Sequence, residues 1–418
     1  MAAAVEAVGA GHAVTLYEAG RTLGGRARAL PGTLPDGTGV LLDNGQHILI
    51  GAYSETLRLM QVVGIDTAQA LLRLPLRLVF PNGNGLRFPA WPAPLDALAG
   101  IVRARGWSLA DKATLLRRAV RWRRAGFRCG DTTSVAELGA GLTPRVMSEL
   151  VAPLCVSALN IAPAQASGQV FLQVMHDAMF ASRGASNVLL PRVDLTALFP
   201  AAAAHWITAR GAQVHRGTRV RLQGSGGATW RIDADDFDRV LVATAAPDAA
   251  RLVEDAAMAL PQAARRQAQA WVARAQALQY TAITTVYAWG AGAALAEPML
   301  ALPGHSPART PCPAQFVFDR GQLGGPPGLL AFVVSASSAD RENVEKQVLR
   351  QAREQLGLTL VAVQTVVEKR ATFACTPGLQ RPSMEIAPGL RACGDYVAGP
   401  YPATLEAAVR AGIDAIRS

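Results

Sequence analysis

The chain has 418 residues, 50% of them hydrophobic, and a formal net charge of +10 from 41 Lys and Arg against 31 Asp and Glu. That is enough apolar chain for a packed core and for two domains rather than one. Five cysteines with no C-x-x-C spacing read as free thiols in a reducing cytoplasm, and six scattered histidines with no His/Cys cluster argue against a metal site. Neither a G-x-S-x-G elbow nor a Walker loop is present. The basic surplus suits anionic lipid, nucleic acid or an anionic cofactor, and composition does not choose among them.

In chain order, residues 2–10 read as an Ala-rich helix that Gly9 and Gly11 stop. No basic start precedes an apolar run, so this is not a signal peptide. His12 to Tyr17 alternates as a strand that ends at Glu18, followed by Gly24-Gly25-Arg26. Strand, acidic residue, then paired glycines is the pattern of the second strand of a dinucleotide-binding unit. Such a unit opens with a strand and a G-x-G-x-x-G turn. Here Gly9-Ala10-Gly11 precedes a strand instead of following one, and Val14 stands at the third glycine position. The first strand and its Gly-rich turn are therefore expected upstream of Met1.

Asp43-Asn44-Gly45-Gln46-His47 is a polar cluster between apolar runs, as in a turn entering a buried site. Residues 54–190 are mostly helical, with Pro-rich breaks at 89–94. Ser108 with Asp111 marks a helix start. Leu109, Ala113, Leu116, Val120 and Phe127 then recur at helical spacing, with Lys112, Arg117, Arg118, Arg121, Arg123, Arg124 and Arg128 on the other faces. A basic face of this kind suits either plain solvent or the surface of an anionic membrane. Nucleic acid is not expected, because only Trp107 and Trp122 are near enough to stack and no recognition module is visible.

From Asp194 a helix runs to Gly211, then a strand over 212–223, a turn at 224–227 and a returning strand over 228–233. Arg239 to Thr244 is a buried strand of parallel type. Strands follow near 280–289 and 328–335, then a helix near 340–356. A last strand ends in Gly394-Asp395, and a helix spans Ala403 to Arg417. No stretch approaches the ~20 apolar residues that span a bilayer. The richest, Leu195 to Ala209, is broken by Pro200 and His205. The expected fold is α/β: residues 1–55, 194–250 and 371–418 form a Rossmann-like nucleotide-binding domain. It is interleaved with a mixed α+β substrate domain of residues 56–193 and 251–370.

The chemistry begins with Glu18, whose carboxylate can accept from ribose hydroxyls. Gly24 and Gly25 let the backbone approach a pyrophosphate, which Arg26 can neutralise. Asp43 and His47 are the polar residues placed to face substrate as acids, His47 because imidazole transfers protons near neutral pH.

The stretch Tyr17-Glu18-Ala19-Gly20-Arg21-Thr22-Leu23-Gly24-Gly25-Arg26-Ala27-Arg28 resembles the E-A-x-R-x-G-G-R-A-R motif of the flavin amine oxidase and phytoene desaturase superfamily. Asp43 to His47 resembles the hydroxysqualene dehydroxylases within it, as does Cys393-Gly394-Asp395 followed by Gly399-Pro400-Tyr401-Pro402-Ala403-Thr404-Leu405-Glu406. The resemblance covers nearly the whole chain in order. It implies an FAD cofactor. Asp395 would bind ribityl hydroxyls, and Gly45, Gly394, Pro402, Thr404 and Leu405 would lie along the flavin. Val220 would hold the adenine through its backbone. The C-terminal helix would aim its positive end at the flavin pyrimidine edge.

It also implies reductive removal of an allylic hydroxyl from a C30 isoprenoid. Leaving water would favour that substrate by roughly 20 kcal/mol at ~0.8 kcal/mol per carbon, so it stays in the bilayer. The protein is then expected in the cytoplasm, peripheral on the inner face of the cell membrane, with other squalene-pathway enzymes as candidate partners. A carotenoid-type desaturase and an amine oxidase are the alternative enzymes. A non-catalytic remnant is the alternative of another class: without its opening strand, the chain is expected to be poorly soluble and largely flavin-free.

Overall fold

A computed structural model of the chain describes residues 1–180, 182–224, 229–305, 310–338 and 340–418. The helices that matter for the site are α1 (Ala2–Gly9), α2 (Ser54–Val62), α3 (Leu95–Val102), α4 (Leu109–Arg124), α5 (Pro200–Thr208) and α6 (Leu405–Arg417). The first strands are β1 (Thr15–Glu18), β2 (Gln213–Arg216), β3 (Val240–Val242), β4 (Tyr280–Trp289) and β5 (Met299–Ala301). They are followed by β6 (Phe316–Asp319), β7 (Leu329–Ser337), β8 (Val361–Phe373), β9 (Glu385–Ala387) and β10 (Leu390–Ala392).

The nucleotide-binding side is Rossmann-like, with parallel pairs drawn from distant parts of the chain. β1 runs parallel to β2, with Thr15 opposite Gln213 and Glu18 opposite Arg216. β3 runs parallel to β10, which β9 extends antiparallel. Among the described residues no strand hydrogen-bonds one group to the other, so this sheet stands in two pieces. Helices span the junction instead. Val5 of α1, Ala203 and Ile207 of α5, and Val409 and Ile413 of α6 share one apolar core with Leu16 and Val214. A Cβ at Gly412 would lie 2.9 Å from the Ala3 amide nitrogen, so α1 and α6 meet nearly backbone to backbone.

The other side is one continuous antiparallel sheet in the order β5-β6-β7-β4-β8. Along β6, β7 and the second half of β4, residues alternate between two cores, as the two-residue period of a strand requires. Tyr287, Phe318 and Ala331 enter one core. Val286, Val317 and Phe332 enter the other, covered by Val344, Val348 and Ala352 of the helix Arg341–Leu356.

Local expectations held where the signal was local. Ser108 and Asp111 form a reciprocal capping box at the start of α4. The 194–211 helix breaks into Leu195–Leu198 and α5 because Pro200 cannot donate to the first turn. The 212–223 strand divides into β2 and Leu222–Gly224, the latter pairing with Trp230–Ile232; of the turn expected at 224–227, Gly224 is the strand's last residue and 225–227 lie outside the described residues.

The apolar stripe assigned to α4 is a correction. Leu115 and Trp122, with the capping Asp111, are its buried residues, while Leu109 and Val120 are exposed. Anchoring at Asp111, whose Oδ1 accepts from the Thr143 hydroxyl at 2.6 Å, sets the inward face. All five cysteines are free thiols, four of them buried. No helix among the described residues is long and apolar enough to cross a membrane.

Candidate flavin site

The site begins where β1 ends. Oε1 of Glu18 accepts from the Gly20 amide at 2.6 Å, and Tyr17 stacks on His215 with ring centroids 5.1 Å apart. The Thr218 amide donates to the Glu18 carbonyl at 3.0 Å, which brings the segment carrying Val220 alongside the carboxylate. Gly24 has φ +109°, and a Cβ there would lie 2.3 Å from the Ala27 carbonyl oxygen, so only glycine fits. At Gly25, φ +60°, a Cβ would meet nothing within 4 Å, leaving the backbone open to a ligand.

Arg26 joins three regions. Its Nη2 pairs with Oδ2 of Asp395 at 2.6 Å, and its Nη1 donates to the carbonyls of Arg370 and Ala371 at 3.2 and 2.5 Å. Asn44 closes the ring, donating from Nδ2 to the Arg26 carbonyl and to Oε2 of Glu368, each at 3.1 Å. At Gly394 a Cβ would sit 2.7 Å from the Tyr396 ring, so β10 can turn to Asp395 only through glycine. The Ala403 amide donates to the Asp395 carbonyl at 3.2 Å. α6 starts at Leu405, two residues later than expected, because Thr404 is its N-cap: the hydroxyl accepts from the Ala407 amide at 3.1 Å. Buried Pro402 lies between Tyr401 (φ +58°) and Ala403 (φ +60°), both strained for L-residues and held just before the helix N-terminus.

The Asp43–His47 turn contributes differently from what the sequence suggested. Asp43 is 1% exposed, and its Oδ1 accepts from the Leu195 amide at 2.8 Å. Tyr287 donates its hydroxyl to the Asp43 carbonyl at 3.0 Å. Burial pushes the carboxyl up to about 6; the Leu195 bond and the Arg320 guanidinium, 3.8 Å from Oδ2, only partly oppose this. Asp43 is thus a buried anchor of the turn, closed to a ligand. His47 Nδ1 lies 2.8 Å from the Gly45 carbonyl, which fixes the proton on that nitrogen. Burial chiefly lowers its pKa, with Arg26 adding to the shift. A neutral imidazole whose proton is already donated is poorly suited as an acid. The remaining nitrogen, Nε2, is the one that can accept.

Beside this turn, the buried Thr285 hydroxyl has no hydrogen-bond partner among the described residues and lies 3.6 Å from where a Gly45 Cβ would be. The buried Tyr396 hydroxyl is also without one. Buried polar groups are rarely left so unless something else satisfies them. One cation, two carboxylates, open backbone at Gly25, a helix N-terminus and two unsatisfied hydroxyls make a set of polar groups that fits a flavin nucleotide.

Residues 1–416 match the family model of the flavin-containing amine oxidoreductases. The chain belongs to that family. It is 26% identical to the hydroxysqualene dehydroxylase of Rhodopseudomonas palustris, over 99% of this chain and 94% of that one. It is 24% identical to the hydroxysqualene dehydroxylase of Sinorhizobium fredii over the same shares. A solved oxidoreductase from Methanosarcina mazei superposes with a TM-score of 0.73 at 16% identity, covering 100% of this chain and 97% of that one.

Several residues that build the site carried no readable role in the sequence. Glu406 is fully buried and accepts from the Glu55 and Thr56 amides at 3.1 and 3.0 Å, capping α2, while Arg410 Nε donates to Oε1, the oxygen shared with Glu55, at 2.7 Å. Asn160, at φ +53°, donates from Nδ2 to the Thr281 and Thr372 hydroxyls and accepts from the Ala336 amide, tying β4, β8 and β7 together. Asn at a helix C-terminus is a signal that could have found it. Arg320 is buried and donates to Gln46 Oε1 at 3.1 Å.

Proposed function

We propose that the protein is an FAD-dependent enzyme that reductively removes the allylic hydroxyl of hydroxysqualene to give squalene. The observation carrying this reading is end-to-end similarity to two proteins named for that reaction, over 99% of the chain. Glu18 would hold the ribose, Gly24, Gly25 and Arg26 the pyrophosphate, and Asp395 the ribityl chain. Gly45, Gly394, Pro402, Thr404 and Leu405 would line the ring system, and Val220 the adenine.

In this reading the C–OH bond would break and a C–H bond form, with the hydroxyl leaving as water on a proton drawn from the medium. A bound reduced flavin would supply the hydride and be left oxidised. The protein's own part is positioning and exclusion of water. Tyr396, Thr285 and the Asn44–Glu368–Arg26 ring fix the walls around Asp395 and Gly45. The helix dipole at Thr404 favours negative charge near the α6 N-terminus.

The test is anaerobic incubation of the purified protein with reduced FAD and hydroxysqualene, followed by mass spectrometry. Squalene formation supports the reading. Flavin binding without squalene, with desaturation of a carotenoid precursor in a parallel assay, would replace it within the same family.

A further inference from the structure

The surface around α3 contradicts the usual economy of a helix. Leu95, Leu98 and Val102 lie at i, i+3 and i+7, one face, and are 55%, 47% and 54% exposed. Trp91, just before the helix, is 47% exposed, and Leu109, at the start of α4, is 85% exposed. This face cannot roll inward. Asp96 accepts from the Ser186 hydroxyl at 3.1 Å, and a Cβ at Gly100 would strike the Phe88 ring at 2.3 Å, so the inner side is locked.

Cations flank the ridge. The Arg103 guanidinium sits 5.2 Å from the Trp91 ring centroid, and Lys112 Nζ donates to the Val102 carbonyl at 2.8 Å. Residues 81–130 contain ten Lys and Arg against two acidic residues, Asp96 and Asp111. Both carboxylates are buried, so no exposed carboxylate from this segment faces the ridge.

We infer that this ridge docks on a bilayer of anionic phospholipid, with Trp91, Leu95, Leu98, Val102 and Leu109 entering the interface and Arg103, Arg105 and Lys112 meeting the headgroups. A tryptophan and aliphatic side chains bordered by cations suit the boundary between headgroups and acyl chains. Anionic lipid attracts such a segment within a Debye length. A second copy is a poorer occupant, because a self-facing ridge brings like charges together. This inference needs neither the flavin nor the proposed substrate, so it stands or falls separately from the reaction.

The experiment is vesicle flotation with the full chain. Vesicles of phosphatidylcholine alone are compared with vesicles that also contain phosphatidylglycerol. Wild type is expected to float with the mixed vesicles at least about tenfold more strongly than with the neutral ones, and Trp91 emission should shift to the blue, a change absent in W91F. Leu109→Ser combined with Leu98→Ser should weaken binding at least about tenfold. R103E with R105E should abolish the preference for phosphatidylglycerol. Both variants alter exposed side chains, so their melting curves should match wild type. Failure of wild type to float, or flotation unchanged in the Leu98/Leu109 variant, overturns the inference. So does sedimentation equilibrium showing a dimer that the same two substitutions dissolve.

Discussion

The two sides of the molecule are held together by different means. The antiparallel sheet β5-β6-β7-β4-β8 is a continuous ladder with a packed core on each face. On the Rossmann-like side no ladder joins the two strand groups among the described residues, and side-chain bridges add to the helix core that spans the junction. Arg26 reaches Asp395, Glu406 caps α2, and Arg58 and Arg417 both close on Glu6 at 3.1 and 2.6 Å. A ladder spreads its stability over many equivalent bonds, whereas a bridge concentrates it in one or two groups. Single polar substitutions should therefore be severe on one side and mild on the other.

The sharpest way to break this comparison is Glu406→Ala. It strips the α2 amides and Arg410 of their buried partner and should cost about 3–5 kcal/mol, read from urea unfolding. A loss under about 1 kcal/mol would show that water entering past the partly exposed Arg410 replaces the carboxylate, and the bridge would not be the main support. Next in size is the pH dependence of Asp43. Its carboxyl is raised from 3.8 to about 6, so its folded form prefers the proton. The contribution is fully present below about pH 4 and is lost as pH rises through about 6, up to about 3 kcal/mol at 1.36 kcal/mol per unit. Wild type should lose stability relative to Asp43→Asn across that window; a constant difference between the two proteins would mean that Arg320 compensates the buried charge in full.

The smallest effect sharpens the comparison from within the sheet. Thr285→Val removes an unsatisfied buried hydroxyl and should stabilise the flavin-free protein by about 1 kcal/mol in thermal melts. It should also weaken flavin retention measured by absorbance. Stabilisation with unchanged flavin retention would remove Thr285 from the site.

The segment from Glu18 to Arg26 was legible in the sequence because glycines that permit φ near +109° or +60° announce themselves locally. The Ser108–Asp111 box was of the same kind, whereas the Thr404 cap was not read and the helix was expected two residues too early. β8 was not legible: its Glu368-Lys369-Arg370 run looks like a solvated linker, and the strand tolerates it through an irregularity in its pairing with β4 near Ile283. The inward face of α4 was ambiguous because leucines occur on two sides of it, and only the distant partner Thr143 decides. Glu406 depends on α2, about 350 residues earlier, and nothing near it in the chain says so. Asp43 and His47 were correctly placed at a buried turn. The Asp43 bond to Leu195 is tertiary and left no mark near it in the chain, whereas the His47 bond to Gly45 is local, two residues away.

The guanidinium of Arg26 is the single point at which residues 26, 371 and 395 converge. Arginine keeps its charge throughout the pH range in which proteins stay folded. The seam is thus held by a group whose own charge acidity does not remove and whose bonds to the Arg370 and Ala371 carbonyls do not titrate, and Asn44 links it directly to a turn whose anchor, Asp43, changes charge near pH 6. Mild acid should retune the turn while the carbonyl bonds of Arg26 persist.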